Sequence, residues 1–421
     1  MLVCTTSTAL SLSPPHLINC LPCSSVPWES AFSGEEVCPS WAATGLREIH
    51  INGDIAFALA QFWRATKDNS GGWLNATAWP LLSGIAEFWS SKLAIDNPGA
   101  APGSPLSLKN VIPPDEYADH VDDSAFTNAG AIITLQRAAE VAQILGKPQE
   151  TYLPWLDAAS RVVIPFDSDL GYTPEYADYK RGTVVKQADA ILLGFPLQWP
   201  LSTNVQAANL AYYSTVTDSG GPAMTWAMFA IGYIELGAGF EAIAASNYNR
   251  SFANAQEPFL VWTETPGGGT PNFLTGAGGW LQAAFFGYTG LRISDSNLTL
   301  SPATPELTSK LGLRGISYLG NRLDVRVDYS VKTIEVTVQA LPPPSPIDAA
   351  GADSSVDPLA LAPLYPASRR SQRGRVVLGA GRHVIVQREL ELVDAAGATH
   401  SLAPGVPISL ALQAVTVREV S

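Results

Sequence analysis

The chain has 421 residues, a formal net charge of -13 and a pI near 4.8. Hydrophobic residues make up 46% and charged residues 15%, which is typical of a folded globular protein and excludes general disorder. The negative charge argues against nucleic acid as a partner, because neutralising phosphates requires clustered Lys and Arg. An acidic chain with 11 tryptophans is compatible with a neutral, polar ligand such as a sugar.

Residues 1–26 contain no Lys or Arg and are interrupted by prolines, so they make a poor signal peptide. We interpret them as an atypical leader, or as sequence added by an incorrect gene prediction. The four cysteines are Cys4, Cys20, Cys23 and Cys38. One Cys-x-x-Cys pair without a second pair does not make a zinc site, so we expect neither a metal nor another cofactor.

The sequence contains no apolar run of transmembrane length, so we expect no membrane partner. Three glycosylation sequons begin at Asn75, Asn249 and Asn297. They favour a secretory route weakly, and they predict an extracellular or vacuolar location. The oligomeric state is left open.

Helical periodicity dominates the first two-thirds of the chain. One helix is predicted to start with Asn128 as its N-cap and to run to Leu145, before Gly146 and Pro148. Similar 3.6-residue patterns predict four more helices, over 51–65, 78–94, 205–215 and 222–237. Helices joined by Gly- and Pro-rich loops predict a mainly α toroid rather than a Rossmann sheet.

The composition changes near residue 292, since every tryptophan and phenylalanine lies before that point. We therefore predict a helical domain over 27–292 and a second domain over 293–421. Alternating apolar and polar residues predict strands in the second domain. These strands are expected over 323–329 and 334–338 and near 375–390 and 407–418. Residues 341–374, rich in Pro, Ala and Ser, are predicted to be a disordered insertion in a small β-sandwich.

The segment 113–128 has the strongest pattern of functional residues. Two prolines stiffen the loop before Glu116, and aspartates at 115, 119, 122 and 123 surround it in sequence. Crowded carboxylates raise one another's pKa, as a general acid in glycoside cleavage requires. From spacing alone, however, the segment is more typical of an acidic loop whose Asp and Asn side chains cap a helix.

The run Pro-Pro-Asp-Glu-Tyr, followed by Val-Asp-Asp-Ser-Ala-Phe-Thr-Asn, resembles a signature of glycoside hydrolase family 65. The resemblance implies an (α/α)6 toroid and makes Glu116 the general acid. It also places Asp115 of the same motif among the substrate-binding residues.

A second block, Lys186-Gln187-Ala-Asp, resembles a family motif whose Lys and Gln bind the sugar. One cation and one amide can satisfy several sugar hydroxyls. Taken by itself, the block also fits a solvated start of a helix.

A third block contains Val-Trp-Thr followed by Glu264. The resemblance implies that Glu264 is the general base that activates water, which favours hydrolysis over phosphorolysis. An inverting mechanism requires two carboxylates roughly 6.5–9.5 Å apart. Glu264 could otherwise be an ordinary residue of a flexible, glycine-rich loop.

Trp28 and Glu29, near the start of the resemblance, would stack on a sugar face and accept from its hydroxyls. A buried core position is the commoner place for a tryptophan. The resemblance spans about residues 27–340, and it lacks the family's large N-terminal β-domain and its upstream aromatic-Trp-Asp-x-Asp segment. We therefore expect a toroid that is incomplete at its N-terminus.

The function predicted first is an inverting hydrolase that cleaves α,α-trehalose to glucose. An α-1,2-glucosidase acting on kojibiose or on glucosylgalactosyl-hydroxylysine is the alternative within the family. An inactive, truncated sugar-binding pseudoenzyme is the alternative outside catalysis. In each case the expected partner is a disaccharide or oligosaccharide.

Overall fold

The computed structural model describes residues 25–30, 32, 34–68, 72–306, 308–339 and 389–420. Most of the leader predicted over residues 1–26, and the whole of the insertion predicted over residues 341–374, therefore lie outside the described residues. Among the described residues, the five predicted helices are present, and four further α-helices were not predicted from the sequence. In chain order the helices are α1 (Thr44–Arg47), α2 (Ile51–Thr66), α3 (Trp79–Asp96), α4 (Ala125–Ile144), α5 (Gln149–Arg161), α6 (Thr203–Val216), α7 (Met224–Leu236), α8 (Glu241–Ser251) and α9 (Leu274–Gln282).

The helix predicted from Asn128 is α4, but its N-cap is Ser124. The Ser124 hydroxyl accepts a hydrogen bond from the backbone N–H of Thr127 at 3.2 Å. The prediction of Asn128 as the cap was wrong, because its side chain amide bonds to Asp123 and to the carbonyl of Val163 instead. These bonds attach the start of α4 to the loop that precedes it and to the segment that follows α5.

Helix α4 is the centre of the first half of the molecule. It is apolar on nearly all sides, and most of its residues are buried, as expected for a helix surrounded by others. Helices α2, α3 and α5 contribute to the same hydrophobic cluster as α4. A second cluster joins α6 and α7 with the segment 172–195.

The strands of the C-terminal part form two sheets. Strands β4 (Arg292–Ile293), β5 (Asn297–Leu300), β9 (Leu390–Val393), β10 (Thr399–Ser401) and β12 (Val415–Glu419) form one sheet in the order β10-β9-β12-β5-β4. Strands β6 (Lys310–Tyr318), β7 (Asn321–Asp328), β8 (Thr333–Val338) and β11 (Ile408–Ala411) form the other in the order β11-β8-β7-β6. Both sheets direct alternate side chains into one shared hydrophobic cluster, which is the arrangement of a β-sandwich.

A third, small sheet belongs to the helical part. Strands β1 (Ala255–Gln256), β2 (Val261–Thr265) and β3 (Gly268–Pro271) are antiparallel neighbours between α8 and α9. The sequence analysis did not predict this sheet. It is important because β2 carries Glu264.

The helical and sheet parts are joined by polar contacts as well as by packing. Asp295 accepts hydrogen bonds from Arg64 and Arg137, which lie on α2 and α4. The backbone N–H of Leu319 donates to the carbonyl of Ala65 at 2.7 Å. The mainly helical part followed by a C-terminal sheet domain is thus confirmed, whereas six helical hairpins and the domain limits 27–292 and 293–421 stay predictions. Within the described residues, no helix combines the length and apolar character needed to cross a bilayer.

Candidate active site

Glu116 lies at the tip of a loop that its own backbone closes. Val111 and Val121 exchange two backbone hydrogen bonds, of 2.9 and 3.1 Å, across the base of this loop. Pro113 and Pro114 are buried within it, whereas the side chain of Glu116 keeps 32% of its surface exposed. The loop therefore presents one carboxylate to solvent on a fixed support.

The neighbouring aspartates serve the loop rather than Glu116. Both oxygens of Asp119 bond to the guanidinium of Arg47 at 2.7 Å. Asp123 accepts from the backbone N–H of Leu108 and from the amide of Asn128. The expected cluster of carboxylates around Glu116 does not form from these residues.

Lys186 brings the two predicted catalytic glutamates together. Its ammonium group donates to Oε2 of Glu116 and lies 3.8 Å from Oε1 of Glu264. Burial lowers the pKa of Lys186, but its bond to Glu116 and the charges of Glu116 and Glu264 outweigh burial. The pKa of Lys186 therefore lies above its usual value, and the cation is fixed between two carboxylates that are distant in sequence.

Glu264 lies at an irregular point of the β2–β3 hairpin. The pairing register shifts between Thr263 and Thr265, as in a β-bulge, a feature that often redirects a side chain next to an active site. Its carbonyl accepts from the backbone N–H of Ala223 and from the amide of Asn254, each at 2.9 Å. On the opposite strand, a Cβ added to Gly269 would lie 3.0 Å from the Cβ of Glu264.

The segment 221–225 connects the two sides of the site. A Cβ on Gly221 would lie 2.3 Å from the carbonyl oxygen of Lys186, so only glycine fits this position. Ala223 bonds to the carbonyl of Glu264, and the hydroxyl of Thr225 accepts from the backbone N–H of Ala188 at 3.3 Å. Through these contacts one short segment holds both the lysine block and the Glu264 strand.

Asp115 and Gln187 lie within the protein framework of the site. Asp115 is buried, and its Oδ1 accepts the backbone N–H groups of Lys186 at 2.6 Å and of Tyr117 at 3.1 Å. The side chain amide of Gln187 donates to the carbonyl of Pro114. As placed, both side chains bind protein groups and hold the Glu116 loop against the Lys186 segment.

Trp28 and Glu29 are the remaining residues that were predicted to bind the substrate. The ring of Trp28 lies 6.0 Å from that of His50, and His50 in turn lies 5.6 Å from Phe126. Burial lowers the pKa of His50 to about 4, so this imidazole is neutral near pH 7. Glu29 is exposed. The three central side chains of the site are those of Glu116, Lys186 and Glu264. Among the described residues, the hydrogen bonds and ion pairs that join these three do not include Trp28 or Glu29.

Glu48 is a residue that the sequence analysis missed. It follows α1, only 2% of its surface is exposed, and no hydrogen-bond donor within the described structure reaches its carboxyl oxygens. Burial, together with the charge of Glu116, raises the pKa of Glu48 to about 9 against the opposing effect of Lys186. The side chain is therefore a neutral carboxylic acid at pH 7. In the sequence, Glu48 is an ordinary charged residue after Arg47, so no local pattern indicates that it is a buried, neutral acid.

The described residues contain no group of His, Cys, Asp and Glu side chains suited to hold a metal ion. A cavity of about 500 Å³ lies elsewhere, between α7 and the sheet domain. It is lined by Tyr233, Glu235 and Arg292 among others, and Arg292 is already paired with Glu235. The three central side chains of the candidate active site are not in its lining.

The chain is similar in sequence to several known carbohydrate-active enzymes. The chain is 44% identical over 321 residues to a protein-glucosylgalactosylhydroxylysine glucosidase of Mus musculus, covering 75% of this chain and 44% of the relative. It is 37% identical over 297 residues to a kojibiose hydrolase of Flavobacterium johnsoniae, covering 69% of this chain and 41% of the relative. A cell wall acid trehalase of Arthroderma benhamiae is 32% identical over 301 residues, covering 68% of this chain and 28% of the relative.

Among solved structures, the protein named "Putative kojibiose phosphorylase from human microbiome" matches with a TM-score of 0.63 at 15% identity. The match covers 92% of this chain and 53% of that chain, and it shows a shared fold. The chain spans less than half the length of the curated relatives that it matches. Residues 23–181 match the family model of the glycosyl hydrolase family 65 central catalytic domain, and this part of the chain belongs to that family.

Proposed function

We propose that the chain carries the active site of an inverting glycosidase that releases glucose from α-1,2-linked glucosides. The glycosidase class is supported by the family 65 domain and by relatives that are named as glucosidases and hydrolases. Because the chain spans only part of those relatives, the activity of the whole protein is part of this proposal.

The observation that carries the proposal is the contact of one ammonium group, that of Lys186, with both Glu116 and Glu264. Inverting glycosidases use two carboxyl groups, one to protonate the leaving oxygen and one to activate water. Glu116 and Glu264 are held by the same ammonium group and are both partly exposed, so the site offers the two carboxyl groups that this chemistry requires.

The ion pair between Lys186 and Glu116 also suggests an order of events. A general acid must carry its proton before the bond breaks, and a protonated Glu116 cannot keep an ion pair with Lys186. A sugar in the site offers hydroxyl oxygens that the ammonium group can bind instead. We propose that the sugar draws Lys186 away from Glu116, which frees this carboxyl group to act as the general acid, while Lys186 remains near Glu264.

The proposed substrate class is supported by the relatives rather than by the site geometry. The sequence analysis favoured trehalose, but two α-1,2-glucosidases match at 44% and 37% identity, against 32% for the acid trehalase. The alternative that was weighed second is therefore the better supported one. Trehalose stays a second candidate because of the trehalase match, and an extracellular or vacuolar location stays a prediction.

The test is glucose release from kojibiose, glucosylgalactosyl-hydroxylysine and α,α-trehalose by the wild type and by Glu116→Gln and Glu264→Gln. We expect release from the first two substrates, β-glucose as the first product by proton NMR, and loss of release in both variants. Glu150→Gln, on the exposed start of α5, is a matched control that should keep full activity.

Each result separates the candidate functions. Faster release from trehalose than from kojibiose would favour the trehalase. Release of α-glucose would contradict inversion. Equal glucose release by the wild type and both glutamate variants would show that catalysis does not run through Glu116 and Glu264. No release from any substrate by folded protein would leave the inactive sugar-binding protein as the explanation.

A further inference from the structure

A third carboxyl group lies completely buried next to the candidate active site. Glu175 has no exposed surface, and its backbone carbonyl accepts from the N–H of Ala125 at the first turn of α4. The proposed chemistry does not use it. An ionisable side chain removed from water is costly unless it is paired or neutral, so its presence requires an explanation.

The groups that act on the Glu175 side chain are themselves carboxyl groups, those of Asp115 and Asp189. No donor in the described part of the chain reaches either oxygen of Glu175, or Oδ1 of Asp189. The other oxygen of Asp189 accepts the backbone N–H of Asp115 at 2.9 Å. Three carboxyl groups thus meet in an interior that is 2% exposed or less.

Carboxylates that are all ionised cannot bond to one another, because each offers only acceptors. A shared proton changes one of them into a donor and removes one charge. Burial, followed by the charges of Asp189 and Asp115, raises the pKa of Glu175 well above its usual value. Burial likewise raises the pKa of Asp189.

The other groups around this cluster do not supply a compensating charge to Glu175. Tyr176, Tyr179 and Tyr213 face it as neutral phenols, and burial raises the pKa of each. The hydroxyl of Tyr213 donates to the carbonyl of Thr173 and that of Tyr179 to the carbonyl of Thr183. Lys186 acts on Asp115 rather than on Glu175.

We propose that Glu175 is a protonated positioning residue, whose O–H donates to Asp115 or Asp189 and thereby fixes the Glu116 loop against the Lys186 segment. The inference rests on the proposed function for its catalytic consequence, but the proton itself does not depend on that function. Asp115 is the link, since the same carboxylate holds the backbone N–H groups of Lys186 and Tyr117. Without a donor behind it, Asp115 would be repelled by Asp189 and the loop would shift.

Two variants distinguish a proton donor from a space-filling side chain. Glu175→Gln keeps the shape and always has N–H donors, whereas Glu175→Leu has none. Infrared spectra at pH 7 report protonation directly, because a carboxylic acid has a carbonyl stretch that carboxylates lack. We expect the wild type to show one such band more than Glu175→Gln, whether or not the protein hydrolyses any sugar, and identical spectra would overturn the proposal.

Kinetics then test positioning. We expect kcat of Glu175→Gln to remain near the wild-type value at pH 6 and to persist to higher pH, because the amide cannot ionise. Glu175→Leu should lower kcat on the order of 10²-fold, as a small misplacement of catalytic groups does. Equal losses in both variants at every pH, or full activity in the Leu variant, would contradict a positioning role.

The two proposals fail in different ways. If Glu175→Leu does not fold, Glu175→Gln still tests the inference through its spectrum and through its thermal stability, which should fall less steeply than that of the wild type as the pH rises above the ordinary pKa of a glutamate. If no protein hydrolyses a glucoside but the infrared difference is present, the proposed function fails while the shared proton stands.

Discussion

Replacing Glu48 by glutamine should stabilise the protein in a way that depends on pH. The carboxyl group of Glu48 is buried and has a pKa of about 9, compared with an ordinary value of 4.5 for a glutamate in water. Between these pH values the folded protein keeps a proton on Glu48 that the unfolded chain releases. The wild type therefore loses stability as the pH rises through this window, whereas glutamine, which has no proton to lose, does not.

The size of the effect follows from the shift. Each pKa unit corresponds to about 1.4 kcal/mol. At pH 4 both forms of the protein carry a neutral side chain at position 48, so this contribution is absent. At pH 7 the wild type has lost about 3 kcal/mol relative to the variant, and at pH 9 and above about 6 kcal/mol. Solvent relaxation around the buried group would reduce these values but not their sign.

The measurement is urea unfolding of the wild type and Glu48→Gln at pH 4, 5.5, 7 and 8.5. The difference between the two free energies of unfolding should increase with pH, while any packing effect of the amide stays constant and cancels. Glu150→Gln, on the exposed surface, should show no such trend. A difference that is independent of pH, or that decreases as pH rises, would refute a buried neutral Glu48.

Three other substitutions test the contacts within the site. Lys186→Met should lower kcat/KM for the preferred glucoside on the order of 10²-fold without loss of fold, because a donor that contacts both catalytic carboxylates is removed. Unchanged kinetics would contradict this role of Lys186. Gly269→Ala should reduce glucose release because its Cβ meets the side chain of the general base, whereas Gly171→Ala, also at positive φ but with open space, should change stability alone. Gly221→Ala should lower both the thermal midpoint and kcat, because the new Cβ displaces the carbonyl of Lys186. Gly267→Ala, whose Cβ has no neighbouring atom within 4 Å, is the control in differential scanning calorimetry.

Much of the fold follows from local patterns in the sequence. Helices α2, α3, α6 and α7 begin and end within about two residues of the predicted limits, because their apolar period is long and regular. Strands β7 and β8 lie where apolar and polar residues alternate. Ser124 and Asn128 are both good capping residues, however, and the local pattern does not show that the side chain of Asn128 bonds to Val163, 35 residues away, while Ser124 caps the helix.

The candidate site was only partly predictable, for a similar reason. Glu116, Lys186 and Glu264 lie in blocks whose residue order carries information, so resemblance could identify them. Glu48 and Glu175 are single glutamates in unremarkable segments, and it is tertiary burial that makes them neutral acids. No local pattern in a single sequence encodes a pKa that depends on which side chains surround a group after folding.

The buried carboxyl groups suggest that this site is maintained at the expense of stability. A carboxylic acid held neutral at pH 7 destabilises the folded state relative to an amide or apolar side chain of similar size. Such residues persist in natural proteins mainly at functional sites, where local rules are broken and the loss is offset elsewhere. The charge of Glu116 acts on Glu48, and Glu175 is proposed to act through Asp115, so both acids adjoin the same loop. If only packing were selected here, glutamine or leucine would serve better at both positions. The convergence is most simply explained if the position of the Glu116 carboxyl group is what these residues maintain.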